Sequence, residues 1–339
     1  MPVSPVELQA ALQDQLRVLT HSEVRVENLA MLAGGASQEM WRLDLNVAEG
    51  ERQGDYKLVL RRQLGGKIYP DALDLWQEFR VMQVAYAADV LLPYPQAYMP
   101  DLLGRPAVLV HRLQGETIGR RIVREPTLAR ARQVLPAQLG KMLARIHRID
   151  LQQYDLRSLV PHPTSITPAQ WIIAQLERNL DDLGEPHPAL ELGIRWLRQH
   201  EPAPPERLTF LHGDYRLGNL MVNSAGLVGV LDWEFAHIGD AYEDLAWSLV
   251  RDWRFGSDQL HFAGIAQPDA FFAAYERAVD TTIDVARVRY WEIMGNVRWA
   301  VGMLNQAQRH LRGIEPNLEF ASLGRRCAEV ELEVLRLIR

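Results

Sequence analysis

Residues 211–232 read LHGDYRLGNLMVNSAGLVGVLD and place two carboxylates and one amide at fixed distances along the chain. Asp214 is followed five residues later by Asn219 and, thirteen residues after that, by Asp232. Between Asn219 and Asp232, two short apolar segments flank the turn NSAG, a pattern typical of a β-hairpin. Such a hairpin holds Asn219 and Asp232 at neighbouring strand ends, where both can reach one metal ion, and leaves Asp214 on the preceding loop.

This spacing has the layout that phosphoryl transfer requires. One carboxylate, Asp214, faces the nucleophilic hydroxyl, while Asn219 and Asp232 hold Mg²⁺ against the phosphates. Mg²⁺ prefers hard oxygen ligands and usually takes one or two protein carboxylates. The order D-x₄-N, hairpin, D also matches a kinase catalytic loop followed by its metal-binding Asp. Each residue by itself could cap or close a turn, but all three together, after His212 and Gly213, favour a catalytic site.

Length and composition narrow the class of protein. The 339 residues are 47% hydrophobic and 24% charged, which is typical of a globular chain large enough for two lobes. The net charge of −6 argues against general nucleic-acid binding and permits a cationic substrate without requiring one. One cysteine, Cys327, suits a reducing compartment, and the polar N-terminus and short apolar runs predict a cytoplasmic enzyme with no membrane partner. The sequence leaves the oligomeric state open.

Strand patterns dominate the first third of the chain, after a short amphipathic helix over residues 4–19 with Ser4 as its N-cap. Strands are predicted at residues 24–32, 40–47, 56–62, 97–99 and 107–113. A helix is predicted over residues 71–87, between the third and fourth strands. We expect residues 1–113 to form a nucleotide-binding lobe with a five-stranded antiparallel sheet and this helix.

Two further features of this lobe suggest nucleotide contacts. The small residues Gly34, Gly35 and Ser37 would let backbone N–H groups approach phosphate oxygens, although an ordinary glycine-rich turn is also consistent with them. The end of the last strand, Val110 to Leu113, is where an adenine would lie against backbone groups.

Arg61 stands in the third strand where kinases place the lysine that holds nucleotide phosphates and pairs with a helix glutamate. Arginine keeps its charge and can grip a carboxylate or phosphate bidentately. Glu78, in the following helix, is its candidate partner. The alternatives are a solvated edge-strand arginine and a surface glutamate.

After residue 113 the pattern becomes mainly helical, which predicts a second lobe over residues 114–339 with the catalytic loop and the substrate pocket. Helices are predicted over residues 126–150, 167–183, 188–199, 268–279, 283–311 and 315–339. Behind the hairpin lies an acidic cluster with no Lys or Arg among its members, Asp232, Glu234, Asp240, Glu243 and Asp244. Such a cluster is costly unless a cation, helix N-termini or arginines neutralise it. Asp240 is expected to N-cap a helix, and Glu234 and Asp240 are candidate substrate contacts.

The segments LHGDYRLGNLMV and VLDWEFAHIGDAYEDLAW resemble the aminoglycoside phosphotransferase-like kinases, and most closely the branch found fused to, or acting beside, acyl-CoA dehydrogenases. That branch shows HGDxRxxN, LDWE, a GD pair followed by DLA, and an arginine-bearing VLR strand. Its counterparts here are His212 to Arg216 with Asn219, Leu231 to Glu234, Gly239-Asp240, Asp244 to Ala246, and Val59 to Arg61. The resemblance extends over nearly the whole chain. Gly218 departs from it, because the branch often has Asp there, and so do Ala241 and Tyr242, which replace the common Pro-Leu.

The resemblance implies an α+β, bilobal protein-kinase-like fold that uses ATP, or GTP, with Mg²⁺. It implies that Asp214 is the catalytic base and that Asn219 and Asp232 are the Mg²⁺ ligands. It also makes Arg61 and Glu78 the nucleotide-orienting pair. The late helix YWEIMGNVRWAVGMLNQ would face the cleft, which makes Asn296 and Arg298 candidate substrate contacts.

Three functions are consistent with these features. The first is a small-molecule kinase for a hydroxyl group, which in this branch would belong to a hydroxyacyl-CoA or hydroxy acid, with a separate acyl-CoA dehydrogenase acting in the same pathway. The second is an aminoglycoside or other antibiotic O-phosphotransferase, which the acidic cluster suggests because such drugs are polycations. The third is a non-catalytic nucleotide-binding module, suggested by Arg61 in the place of lysine.

Overall fold

The structure is a computed structural model that describes residues 3–32, 38–64, 72–315 and 317–339. The chain divides into two compact units, residues 1–115 with 228–236, and residues 116–227 with 237–339. A five-stranded antiparallel sheet with an adjoining helix and a mainly helical remainder confirm the predicted α+β fold class. No helix in these described ranges combines the length and apolar character needed to cross a membrane.

The first unit is built on one antiparallel sheet with strand order β1-β2-β3-β5-β4. Its elements are α1 (Pro5–Thr20), β1 (Val24–Met31), β2 (Gln38–Val47), β3 (Gly54–Gln63), α2 (Leu75–Ala87), β4 (Pro95–Met99) and β5 (Ala107–His111). Because β3 is the middle strand, Arg61 has a paired neighbour on each side, Met40 on β2 and Val108 on β5.

Helix α1 starts as the sequence predicts. The Ser4 hydroxyl accepts from the Glu7 backbone N–H, and the Glu7 carboxylate accepts from the Ser4 backbone N–H, which together form a capping box. Its apolar face, Leu8, Leu12 and Leu16, is buried in the same core cluster as the inner face of the sheet.

Strand β3 alternates between faces as predicted, with Leu58 and Leu60 fully buried. Arg62 is the next residue on that buried face, and the sequence did not predict a role for it. Its guanidinium donates to the carbonyl oxygens of Leu102 (2.9 Å) and Leu103 (2.8 Å) and pairs with Glu39 (3.0 Å). These bonds offset the cost of burying the charge and tie β3 and β2 to the loop after β4.

The second unit is mainly helical. Its helices are α3 (Gly119–Arg124), α4 (Ala129–His147), α5 (Leu156–Leu159), α6 (Pro168–Leu183), α7 (Pro188–Gln199), α8 (Ala241–Trp247), α9 (Asp269–Val279), α10 (Val285–Leu311) and α11 (Leu318–Leu337). Its strands are β6 (Thr209–Leu211), β7 (Leu220–Asn223), the start of β8 (Gly226–Val230) and β9 (His237–Gly239). β7 and β8 form the predicted hairpin, and β6 pairs with β9 in antiparallel fashion.

The element boundaries differ from the predictions in a few places. The single helix predicted over residues 126–150 is a 3₁₀ turn, Pro126–Leu128, followed by α4, because the Leu128 N–H bonds three residues back to Glu125. Strands β6 and β9 were not predicted, since three residues are too few to show an alternating pattern. Helix α2 begins at Leu75 because Asp74 caps it, and residue 71, the predicted start, lies outside the described residues.

Replacing Arg62 by Ala should lower the free energy of unfolding by about 3 kcal/mol, because it leaves the Glu39 carboxylate buried without its cation. Urea unfolding followed by circular dichroism measures the change. Arg25→Ala is the control, since its pair with Glu27 is exposed and long at 3.7 Å, and it should change stability by less than about 0.5 kcal/mol. Equal effects of the two substitutions would contradict a structural role for Arg62.

Candidate active site

Asp214 and Asn219 lie together in the second unit, with Asp214 on the loop before the hairpin as the sequence predicted. Asp214 follows β6, and Asn219 ends the 3₁₀ turn Leu217–Asn219 that leads into β7. The Asn219 amide nitrogen donates to Oδ2 of Asp214 (2.6 Å) and to its backbone oxygen (3.1 Å). Both partners are acceptors, which fixes the orientation of the amide and turns its Oδ1 away from Asp214. Both side chains are buried, with Asp214 7% exposed.

Two donors that the sequence did not single out hold the other oxygen of Asp214. The indole nitrogen of Trp247 donates to Oδ1 at 2.5 Å, and Nε of Arg216 donates to the same atom at 2.9 Å. A carboxylate can accept about four hydrogen bonds. Among the described residues, Oδ2 accepts only from Asn219, so it retains capacity for one more donor.

The backbone of the catalytic loop is anchored on Asp244, which is fully buried. Its Oδ2 accepts from the His212 N–H (2.7 Å) and from Nε2 of His147 (3.2 Å), and its Oδ1 accepts from the Gly213 N–H (2.9 Å). Burial by itself raises the pKa of the Asp244 carboxyl, but the His147 hydrogen bond and the charges of His147 and His212 outweigh it and lower that pKa. Asp244 and Trp247 are three residues apart on α8 and therefore share a face, a spacing that could have indicated their common role.

The remaining acids of the cluster in this unit are also neutralised internally. Asp240 caps α8 as predicted, and its Oδ2 accepts from two nitrogens of Arg287 (2.5 and 2.9 Å) and from Trp291 (2.9 Å). The Glu243 carboxylate accepts from His237 (2.9 Å) and from the Asp240 N–H (2.9 Å). Arginine, tryptophan, histidine and a backbone N–H thus supply hydrogen bonds to these carboxylates from within the protein.

The first unit brings Arg61 and Glu78 together. Two parallel hydrogen bonds of 2.7 and 2.9 Å join the guanidinium to the carboxylate, and Nε of Arg61 donates to Gln38 at 2.8 Å. Glu78 is 2% exposed and Arg61 lies on a central strand, so the alternatives of an edge-strand arginine and a surface glutamate are wrong.

Asp232 belongs to the same unit as this pair. Its φ of 63° is in the left-handed region, where non-glycine residues are uncommon and often functional. The next residue, Trp233, donates its backbone N–H to Glu78 at 3.3 Å, and the Leu73 N–H donates to the backbone oxygen of Glu234 at 2.7 Å. Burial lowers the pKa of Arg61, but the charges of Glu78, Asp232 and Glu234 with the Glu78 hydrogen bonds raise it overall. The unit thus gathers three acids around one arginine.

The other predicted contacts are placed as follows. Gly34, Gly35 and Ser37 lie outside the described residues. Val110 is buried in β5, and Leu113 packs so closely on Gly229 that a Cβ there would be 2.6 Å from its Cδ1. Of the two candidates on α10, Asn296 is fully buried with its amide nitrogen on the Glu292 backbone oxygen (2.8 Å). Arg298 is half-buried, with its guanidinium carbon 5.4 Å from the centre of the Trp247 ring.

Residues 28–291 match the model of the phosphotransferase enzyme family APH, and the chain belongs to that family. Among curated proteins it is 31% identical over 213 residues to acyl-CoA dehydrogenase family member 10 of Mus musculus. That match covers 59% of this chain and only 19% of the relative.

Solved structures share the fold over almost the entire chain. A provisionally named aminoglycoside phosphotransferase from Ralstonia eutropha JMP134 has a TM-score of 0.73 at 21% identity and covers 97% of each chain. A thermostable mutant of aminoglycoside phosphotransferase APH(4)-Ia, solved with ADP and hygromycin B, has a TM-score of 0.60 at 16% identity and covers 95% of this chain and 98% of its own. The family and these neighbours support a small-molecule phosphotransferase.

Trp247→Phe should lower kcat about 10-fold with little change in KM, because it removes one hydrogen bond to Asp214 and keeps an aromatic ring in place. Steady-state phosphotransfer kinetics measure the change. Trp299→Phe is a matched control, since its indole lies in the same aromatic cluster but donates to Asp252 (2.8 Å). Equal losses from both variants would show that the effect comes from packing.

Proposed function

We propose that this chain is an ATP- and Mg²⁺-dependent kinase that phosphorylates a hydroxyl group of a small molecule, a hydroxyacyl-CoA or a hydroxy acid. The observation that carries the proposal is the fixed Asp214 carboxylate. Three donors hold it, Asn219 and Arg216 from its own loop and Trp247 from α8, and among the described residues Oδ2 keeps capacity for one further donor. An acceptor hydroxyl is a suitable donor for that position.

In the proposed reaction the acceptor hydroxyl donates its hydrogen bond to Oδ2 of Asp214. The hydroxyl oxygen forms a bond to the γ-phosphorus of ATP while the bond to the β,γ-bridging oxygen breaks. ADP leaves, and the hydroxyl proton passes to Oδ2. Because the transition state of phosphoryl transfer is loose, Asp214 contributes mainly by orienting the hydroxyl, which its three hydrogen bonds make possible.

The residues predicted to hold Mg²⁺ have suitable donor chemistry. Oδ1 of Asn219 is turned away from Asp214 by the two hydrogen bonds of the amide nitrogen, and Asp232 supplies a carboxylate. Both are hard oxygen ligands of the kind that Mg²⁺ prefers. When bound, Mg²⁺ neutralises charge on the phosphate oxygens of the nucleotide.

The Arg61 and Glu78 pair is proposed to orient the nucleotide phosphates. The guanidinium has five N–H donors, and the contacts with Glu78 and Gln38 account for three of them. The remaining N–H donors of the Arg61 guanidinium are available to a phosphate oxygen. Gly34, Gly35 and Ser37 are proposed phosphate contacts, Val110 and Leu113 proposed base contacts, and GTP is an alternative nucleotide.

The proposed identity of the phosphate acceptor rests on the similarity to acyl-CoA dehydrogenase family member 10 of Mus musculus. Its name supports an acyl-CoA-related substrate and a separate acyl-CoA dehydrogenase in the same pathway, although the matched region spans only 19% of its length. Glu234, Asp240 and Asn296 are the proposed acceptor contacts carried over from the sequence. A cytoplasmic site of action is proposed because Cys327 is a free, buried thiol.

An aminoglycoside or other antibiotic kinase is the second candidate, favoured by the neighbour solved with hygromycin B. The acidic cluster that suggested a polycationic substrate gives it little support, since the carboxylates of Asp240, Glu243 and Asp244 already accept hydrogen bonds from donors within the protein. A non-catalytic module loses its main argument, because Arg61 pairs with Glu78 as the usual lysine would.

The direct test is ADP release from Mg-ATP by the purified protein with two acceptor pools. One pool holds hydroxyacyl-CoA thioesters and hydroxy acids, and the other holds aminoglycosides and amino alcohols. Stimulation by the first pool supports the proposed function, and stimulation by the second supports the antibiotic kinase. Silence with both pools, together with nucleotide binding, would favour the non-catalytic module.

Asp232→Ala should reduce turnover to background, since it removes a proposed Mg²⁺ ligand, and should weaken Mg²⁺-dependent nucleotide binding. Coupled ADP-release assays and nucleotide titrations with and without EDTA measure both effects. Asp258→Ala is the control, because that carboxylate pairs with Arg251 at the surface. A fully active Asp232→Ala variant would refute the assignment.

A further inference from the structure

Arg298 is a half-buried arginine without a partner in the described part of the chain, where it forms no hydrogen bond or ion pair. Its recorded contact is with the face of Trp247, 5.4 Å from ring centre to guanidinium carbon. A guanidinium carries five N–H donors, and partial removal of unpaired donors from water costs free energy. These donors are therefore available to a ligand.

The packing of α10 on α8 places Arg298 over the ring of Trp247. A Cβ at Gly295 would lie 2.9 Å from Val250 and 3.3 Å from Trp247, closer than ordinary packing allows. Glycine at this position lets α10 approach the indole. Arg298, three residues later on the same face of the helix, then lies over the ring.

Trp247 connects Arg298 to the reaction centre. The indole under the guanidinium is the one that donates to Oδ1 of Asp214 at 2.5 Å. Arg298 also lines a small pocket with Gly213, the residue before Asp214, and with Asp244. The acids of that pocket, Asp244 and Glu243, already accept from histidine and backbone donors. Among the described charged residues that line this pocket, Arg298 is therefore the one whose hydrogen-bonding groups have no partner within the protein.

A second guanidinium increases the positive charge beside Asp214. Arg216 donates its Nε–H to Asp214, and its guanidinium carbon lies over Trp253, 4.3 Å from the ring centre. Its Nη atoms form no hydrogen bond within the described residues. Gly218 makes room for it, since a Cβ there would be 2.1 Å from Nη1. Both guanidinium groups are thus linked to Asp214, Arg216 by its own hydrogen bond and Arg298 through the indole of Trp247.

We propose that Arg298 binds an anionic group of the acceptor, a carboxylate or a phosphate, while the acceptor hydroxyl lies on Asp214. This inference rests on the proposed kinase function and names its substrate class. A planar guanidinium backed by an indole binds such a group through two parallel hydrogen bonds. Together with Arg216, it disfavours polycationic acceptors near the base.

The test compares acceptors that differ only in charge. The probes are 2-, 3- and 4-hydroxybutyrate with the three matching hydroxybutyramides, and 3-hydroxybutyryl-CoA with 3-hydroxybutyryl-pantetheine, which lacks the phosphates. Phosphotransfer kinetics are measured for the wild type, Arg298→Gln and Arg298→Lys. Arg312→Gln is the control, because it removes the same charge from an exposed site 14 residues along the chain, about 21 Å away along α10.

Arg298→Gln should raise KM for the anionic acceptors about 10- to 100-fold and leave the neutral ones unchanged. Arg298→Lys should recover part of the loss, and KM for ATP should not move. A raised KM of Arg298→Gln for the hydroxybutyrates identifies a carboxylate as the bound anion. A raised KM for the CoA thioester but not for the pantetheine thioester identifies a phosphate. Equal KM changes for charged and neutral acceptors, or none, would overturn the proposal.

A binding measurement separates this proposal from the kinase function. Quenching of tryptophan fluorescence by hydroxybutyrate, and separately by 3-hydroxybutyryl-CoA, is followed in the presence of Mg-AMP-PNP, in the wild type and in Arg298→Gln. Weaker binding of either ligand in the variant supports the anion site even if no acceptor is phosphorylated, in which case the kinase function fails. Equal binding of both ligands in the two proteins overturns the anion site even if turnover is observed.

Discussion

The catalytic loop depends on the buried carboxylate of Asp244. A fully buried charge is tolerable only when donors surround it, and here two of those donors are the backbone N–H groups of His212 and Gly213. The cost of burial and the position of the loop are therefore linked, because moving the loop would leave the carboxylate without partners. His147 supplies a further hydrogen bond from α4, and its other ring nitrogen lies 2.8 Å from the Tyr275 hydroxyl.

The Asp214 carboxylate is held by this framework rather than by its own loop alone. Asp244 and Trp247 lie one turn apart on α8, so the helix that fixes the loop backbone also fixes the side chain of Asp214 through the indole. Glycine at 295 lets α10 pack on that indole, and this contact brings Arg298 over it. Helix packing in the second unit thus determines both the orientation of Asp214 and the charge around it.

The acidic cluster shows that a run of charges along the sequence does not reveal which partners those charges meet in the folded chain. In sequence it suggested a surface for polycations, because no Lys or Arg lies among its members. In the structure, Asp240 meets Arg287 from α10, Glu243 meets His237 from β9, and Asp244 meets His147 from α4. Most of these partners are dozens of residues away, so sequence proximity could not reveal these contacts. Within the described residues, the arginine near Trp247 that has no hydrogen-bonding partner is Arg298.

The sequence by itself determined the fold class and most elements, because apolar periodicity and capping residues such as Ser4 and Asp240 act locally. It also predicted that Asp214 lies on the loop before the hairpin and that Arg61 pairs with Glu78. Motif spacing determines the first prediction, and resemblance to the lysine–glutamate pair of kinases suggested the second. Only the tertiary structure identified Trp247, Arg216, Arg62 and the anchoring role of Asp244, which depend on side chains that meet across long stretches of chain. Local patterns are set by backbone geometry within a few residues, whereas these contacts are set by how helices and strands pack.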